Sequence, residues 1–266
     1  MPEQSARSQL KSLRVASGKV LDFRATEVDL TEAASRLSVE LPRVDVPRDL
    51  LDLDEHAVRE RFRFYLGLKG AGSRINRKAS PGYPWVLDWP TQGSLIDDLG
   101  ERLVDIAWDR LCRIMSKYSG KIIDGDETLT GPDACLNAVR EGLWDPYQAI
   151  TKREPHPARK ARIGKWRLVY ADSLVNRMIE SLYSLSFNDK CIDSWDTHPI
   201  KPGMGFSADS VDKMCRRFAK WDDHPKSTKY SMDVEGWDMS TRDVHHFADA
   251  AVRLRNCGPE DSAPGE

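Results

Sequence analysis

The sequence predicts an α+β protein, on three observations. Helical spacing of apolar residues runs through much of the first half. Two apolar stretches, QAITKRE at 148 to 154 and KWRLVYA at 165 to 171, read as strands bracketing a proline-broken basic loop. Residues 229 to 234, KYSMDV, alternate in polarity and then meet Gly236.

Residues 49 to 68 place Leu51, Val58, Phe62, Tyr65 and Leu66 near one helical face, and GAG at 70 to 72 ends the pattern. Residues 94 to 118 repeat it with Ile96, Leu99, Leu103, Ile106, Leu111 and Ile114, behind Ser94 as the expected N-cap. Between these helices lies RINRKASPGYPWVLDWP, dense in Gly and Pro. After the two strands, residues 173 to 185 take up helical spacing, and KPGMGFS at 201 to 207 leads into a short helix through Cys215 and Phe218. A last helix is expected from Thr241 to about Asn256, capped by Ser240, with Val244, Phe247, Ala251 and Leu254 on one face. Gly258 and Pro259 then stop it, and the polar tail 257 to 266 is expected to pack against nothing.

With 266 residues and 40% hydrophobic content the chain can build a core as one large domain or two small ones. Lys plus Arg (40) nearly balance Asp plus Glu (42), so any electrostatic function must come from local distribution. No apolar run approaches the ~18 residues of a membrane span, and the N-terminus lacks the apolar core of a signal peptide. The chain is therefore expected to be soluble and unsecreted. Its five cysteines are scattered without a Cys-x-x-Cys pair, which points to reduced thiols rather than disulfides or zinc.

Three segments carry chemistry. In DVEGWDMS, Asp233 and Asp238 are five apart, so neither a straight strand nor a continuous helix puts their carboxylates side by side. A strand, a bend at Gly236 and a helix start would do so, and two converging carboxylates suit Mg²⁺. Taken alone, the pair fits a solvated surface turn better than a metal site. The second segment, KREPHPARKARIGKWR at 152 to 167, holds seven cations (Lys152, Arg153, Arg159, Lys160, Arg162, Lys165, Arg167) against one acid, Glu154. Lys165 and Arg167 are expected on one strand face, able to grip a polyphosphate together. The third, SPGYPW at 80 to 85, sets a glycine between prolines as a stiff track, with Tyr83 and Trp85 available for stacking on bases.

In this order the three segments resemble the viral RNA-dependent RNA polymerases of positive-strand RNA viruses, nearest to the sobemo-like and luteo-like group. SPGYP looks like motif G, KRE followed by Lys160 and GKWRLVYADS looks like motif F, and DVEGWDMS looks like motif A. The likeness covers roughly residues 70 to 255. It implies a right-hand polymerase fold: a helical extension at 1 to 69, fingers at 70 to 228, and the first palm strand and helix at 229 to 256.

The resemblance also implies roles. Asp233 would bind Mg²⁺, with Mn²⁺ as a substitute, and Asp238 would bind the nucleotide and select its ribose 2′-hydroxyl. Lys152, Lys160, Arg162, Lys165 and Arg167 would bind the NTP. Ser80, Pro81, Gly82, Tyr83 and Pro84 would guide the template RNA. Partners would be template and product RNA, NTPs and the remaining palm and thumb, in the cytoplasm of an infected cell or at its membrane-associated replication sites. Motifs B and C do not occur before Glu266, and GDE at 125 to 127 is no substitute, since it lies upstream of motif F without apolar flanks. The chain is thus expected to be an N-terminal polymerase segment, cut short or completed by a second polypeptide, and inactive alone. A non-catalytic single-stranded RNA-binding protein is the alternative. A metal-dependent phosphohydrolase fits less well, because the histidines and further acids such a site gathers are missing, and His245 and His246 are expected at the surface of the helix after motif A.

Overall fold

The computed structural model describes residues 27–68, 75–118, 131–155, 157–164, 166–198, 204–222 and 243–259. In chain order these form α1 (Glu27–Glu40), β1 (Val44–Val46), α2 (Arg48–Leu51), α3 (Glu55–Leu66), α4 (Gln92–Leu99) and α5 (Glu101–Tyr118). There follow α6 (Gly131–Arg140), β2 (Gln148–Thr151), α7 (Ala158–Ile163), β3 (Leu168–Ala171), α8 (Leu174–Asp193), α9 (Ala208–Asp222), α10 (Asp243–Asn256) and β4 (Cys257–Pro259). The fold is α+β and mostly helical, and the described strands form two sheets of two strands each. Two compact units divide the described chain, one spanning Asp52–Leu182 and the other joining 27–51 to 183–259.

In the first unit, α3 packs against α5 through part of the apolar stripes that the spacing predicts, with Val104 and Ala107 buried while Ile106 and Ile114 are only half-buried. Val58, Phe62 and Leu66 are buried on α3, and Leu103, Val104, Ala107 and Leu111 on α5. Each large side chain taken fully out of water contributes about 1.5–3 kcal/mol. Arg59 to Asp105 (2.6 Å) and Arg63 to Glu101 (2.9 Å) edge this contact, where solvent keeps ion pairs weak.

Both long helices expected in this region are broken. The stretch from 49 to 68 divides into α2 and α3, because Asp54 turns its carboxylate onto the Ala57 N–H (2.9 Å) and caps a new helix start. Leu51, expected on the buried face, is exposed, and α3 ends at Gly67, ahead of the GAG triplet. The stretch from 94 to 118 divides at Gly100, whose φ of 44° suits a residue without Cβ. The cap of α4 is Thr91 rather than Ser94: Thr91 Oγ1 accepts from the Ser94 N–H at 3.1 Å, and Ser94 Oγ accepts from the Thr91 N–H at 3.2 Å. Ser94 is the third helical residue of that capping box.

The second unit is built from both ends of the described chain. α1 lies against α10, and β1 pairs in parallel with β4, Val44 opposite Cys257 and Val46 opposite Pro259. Ala34, Leu41, Val44, Val46, Phe187, Cys191 and Val252 form its core. Asn256, 4% exposed, donates through Nδ2 to the carbonyls of Ser38 (2.8 Å) and Leu41 (3.1 Å), satisfying backbone groups left at the end of α1. Two expectations fail here. Cys257–Pro259 of the supposedly unpacked tail is a paired strand, because β1 offers it a ladder. On α10 the inward face carries Ala248, Val252 and Asn256, whereas Leu254 is 77% exposed.

Candidate nucleic-acid and triphosphate interface

The basic segment folds as a hairpin in the first unit. β2 and β3 are antiparallel, Gln148 opposite Ala171 and Thr151 opposite Leu168. One further bond, from the Lys152 N–H to the Arg167 carbonyl (2.8 Å), extends the ladder. That bond brings the two cations to the same level. Glu154 lies between them, 2.8 Å from Lys152 Nζ and 3.6 Å from Arg167 Nη1. Arg167 thus sits just before β3 rather than on it, and its side chain stays 67% exposed.

Beyond the strands the chain forms α7 from Ala158, closed by Gly164. Arg159, Lys160 and Arg162 are all exposed there. Lys160 and Arg162 are two residues apart, about 200° around the helix, so they do not act as a pair, whereas Arg159 and Arg162 share a face. Lys160 and Arg162 also lie in the last turn, where cations favour the helix dipole. Lys165, Asp233 and Asp238 lie outside the described residues.

The SPGYPW loop is fastened to the base of this hairpin. Ser80 Oγ donates to Gln148 Oε1 (3.0 Å) at the start of β2, and the Leu174 N–H donates to the Pro81 carbonyl (2.8 Å) just past β3. Gly82, at φ +78°, lies so close that a Cβ there would come 2.4 Å from the Asp172 carbonyl oxygen. Gln92 at the start of α4 secures the other side, donating through Nε2 to the Ser80 carbonyl (2.8 Å). Pro81 and Gly82 are buried, Ser80 and Pro84 are half-buried, and Tyr83 is exposed. The expectation that Trp85 is available for stacking needs revision, because its indole N–H donates to Ser173 Oγ (3.1 Å) and holds the ring against the protein. The second exposed aromatic beside the hairpin is Tyr147, immediately before β2. Partial burial, with the carboxylates of Asp172 and Glu180 nearby, pushes its phenol up to about 12, so it remains a neutral donor.

Under the loop lies a polar cluster that the sequence reading missed. Asp145 Oδ2 accepts from Arg110 Nη1 (2.7 Å) and from Ser173 Oγ (2.5 Å). Asn176 accepts from the Asp145 N–H at 3.1 Å and donates to the Asp145 carbonyl at 3.0 Å and to Asp172 Oδ1 at 2.9 Å. Burial pushes the Asp172 carboxyl above its usual range, against the opposing effect of its bonds from Asn176 and the Ser173 N–H. One signal could have found the cluster: Arg110 shares the stripe of Leu103, Ala107 and Leu111, and a cation on a buried stripe needs a partner.

The chain is 28% identical, over 95% of its length, to the replicase polyprotein P2AB of Cocksfoot mottle virus. Its homologues are viral replicases. Over 70% of the chain it is 31% identical to the replicase polyprotein P2AB of Southern bean mosaic virus. It is 26% identical, again over 70%, to the RNA-directed RNA polymerase of Mushroom bacilliform virus. The chain spans only part of these replicases, 26%, 18% and 42% of their respective lengths. No family model matches it, and no solved structure does. Among the described residues no helix is long and apolar enough to cross a membrane, and no group of three His, Cys, Asp or Glu residues could hold a metal ion.

Proposed function

We propose that the chain is the fingers and first palm elements of a viral RNA-dependent RNA polymerase, which adds nucleotides from NTPs to an RNA 3′ end opposite an RNA template. The observation that carries this reading is the fastening of the SPGYPW loop to the base of the basic hairpin, in a chain whose relatives are replicases. Lys152 and Arg167 hold the triphosphate, Lys160 and Arg162 support the channel, and Lys165 is assigned to the triphosphate by its place in the sequence. The Ser80 to Pro84 loop carries the template on its exposed ring, Tyr83, while the buried Pro81 and Gly82 anchor it. Asp233 holds Mg²⁺ and Asp238 contacts the ribose. When bound, Mg²⁺ would ease deprotonation of the attacking 3′-hydroxyl and neutralise the leaving pyrophosphate. The protein would act in the cytoplasm of the infected cell.

Photolabelling the 266-residue chain with 8-azido-ATP tests the hairpin. Lys152→Ala and Arg167→Ala are expected to lower labelling several-fold, and Lys117→Ala to leave it unchanged. In a replicase completed with the remainder of the Cocksfoot mottle virus polyprotein, Asp233→Ala is expected to abolish primer extension. Salt-dependent RNA binding without nucleotide labelling would favour a non-catalytic RNA-binding protein instead.

A further inference from the structure

The polar groups under the loop form one continuous relay. Arg110 Nη1 donates to Asp145 Oδ2 (2.7 Å), Ser173 Oγ donates to the same oxygen (2.5 Å), and the Trp85 indole donates to Ser173 Oγ (3.1 Å). The ion pair at its root is nearly dry, with the Arg110 and Asp145 side chains 12% and 9% exposed. Buried pairs of this kind commonly give little stability over an apolar replacement, so stability alone is a poor reason for one here. What this pair does is set a direction. A serine hydroxyl has one proton, and the carboxylate takes it, which leaves the lone pairs of Ser173 turned toward Trp85.

The relay ends where loop and hairpin meet. Ser173 lies two residues past β3, and Trp85 closes the SPGYPW loop. We infer that Arg110, Asp145 and Ser173 are positioning residues that act through Trp85 to hold the RNA-guiding loop in register with the triphosphate-binding hairpin. Arg110 also donates to Asn176 Oδ1 (3.2 Å), so the same cation steadies the first turn of α8 against the loop. An RNA strand laid against the exposed Tyr83 and a triphosphate at Lys152 and Arg167 then keep one fixed separation. This inference rests on the polymerase reading.

The test uses the full chain and two probes, a fluorescent oligouridylate and ATP, with both dissociation constants measured for each variant. Ser173→Ala removes two bonds of the relay, and Trp85→Phe removes one while keeping a ring. Ser173→Ala is expected to weaken RNA binding about fivefold and Trp85→Phe about threefold, with ATP binding changed less than about twofold, in keeping with the loss of two hydrogen bonds and of one. Unchanged RNA affinity in both variants overturns the inference. So does an equal loss of RNA and ATP affinity, which a merely structural role would produce. An unsubstituted chain that binds neither probe overturns the polymerase reading itself, and that result is distinct because no substitution is involved.

Discussion

Glu154 stands between Lys152 and Arg167, its two carboxylate oxygens facing one cation each at 2.8 and 3.6 Å. The only acid of the basic segment thus aligns the two side chains proposed to meet a triphosphate. If charge alone mattered, Glu154→Gln would strengthen nucleotide binding by removing a negative group. Orientation predicts the reverse, a fall of roughly three- to tenfold in ATP affinity with thermal stability nearly unchanged, since exposed pairs contribute about 0–1 kcal/mol. Equilibrium dialysis with ATP decides between the two.

Gly82→Ala should loosen the loop from the hairpin. The added methyl meets the Asp172 carbonyl oxygen at 2.4 Å from a backbone with φ of +78°, so backbone must move. Strain of this kind costs on the order of 1–3 kcal/mol. Urea unfolding should show a lower midpoint, and RNA binding should weaken with it.

Asn256→Ala should destabilise the second unit by about 1–3 kcal/mol, because it strips the carbonyls of Ser38 and Leu41 of a donor, the second of them in a buried bond. Leu254→Ala, on the exposed side of the same helix, should cost much less. Chemical denaturation of the two variants side by side checks the difference.

Asp172 gives a pH dependence with a definite sign. Burial raises its carboxyl pKa in the folded chain, so its contribution is fully present below the unfolded pKa and is lost as pH rises through the folded value. Asp172→Asn keeps an oxygen for the Ser173 N–H and for Asn176 Nδ2 but carries no charge. The variant is expected to melt higher than the unsubstituted chain at pH 7.5 and at the same temperature at pH 3. Thermal unfolding at the two pH values tests this, and an equal shift at both would assign the effect to packing instead.

Much of the local structure was legible because it depends on neighbours in the chain. The hairpin strands, the start of α8 after them, and Leu103 and Leu111 on α5 follow from spacing. Helix ends were less legible, since Asp54, Thr91 and Gly100 each offered a stop that periodicity alone does not weigh. The face of α10 was misread for another reason. Its partner, α1, is more than 200 residues away, and which side is inward depends on where that helix lies.

By itself the sequence singled out candidates for meeting an anion, an RNA base or a metal, because side-chain chemistry and short spacings are local properties. It placed the cations at 152 to 167, the track at 80 to 85 and the aspartates at 233 and 238. Only the tertiary structure decided what those groups are tied to. Arg110, Asp145, Ser173 and Trp85 are separated by up to 88 residues yet form one hydrogen-bonded relay, because buried polar groups must find partners wherever the fold brings them.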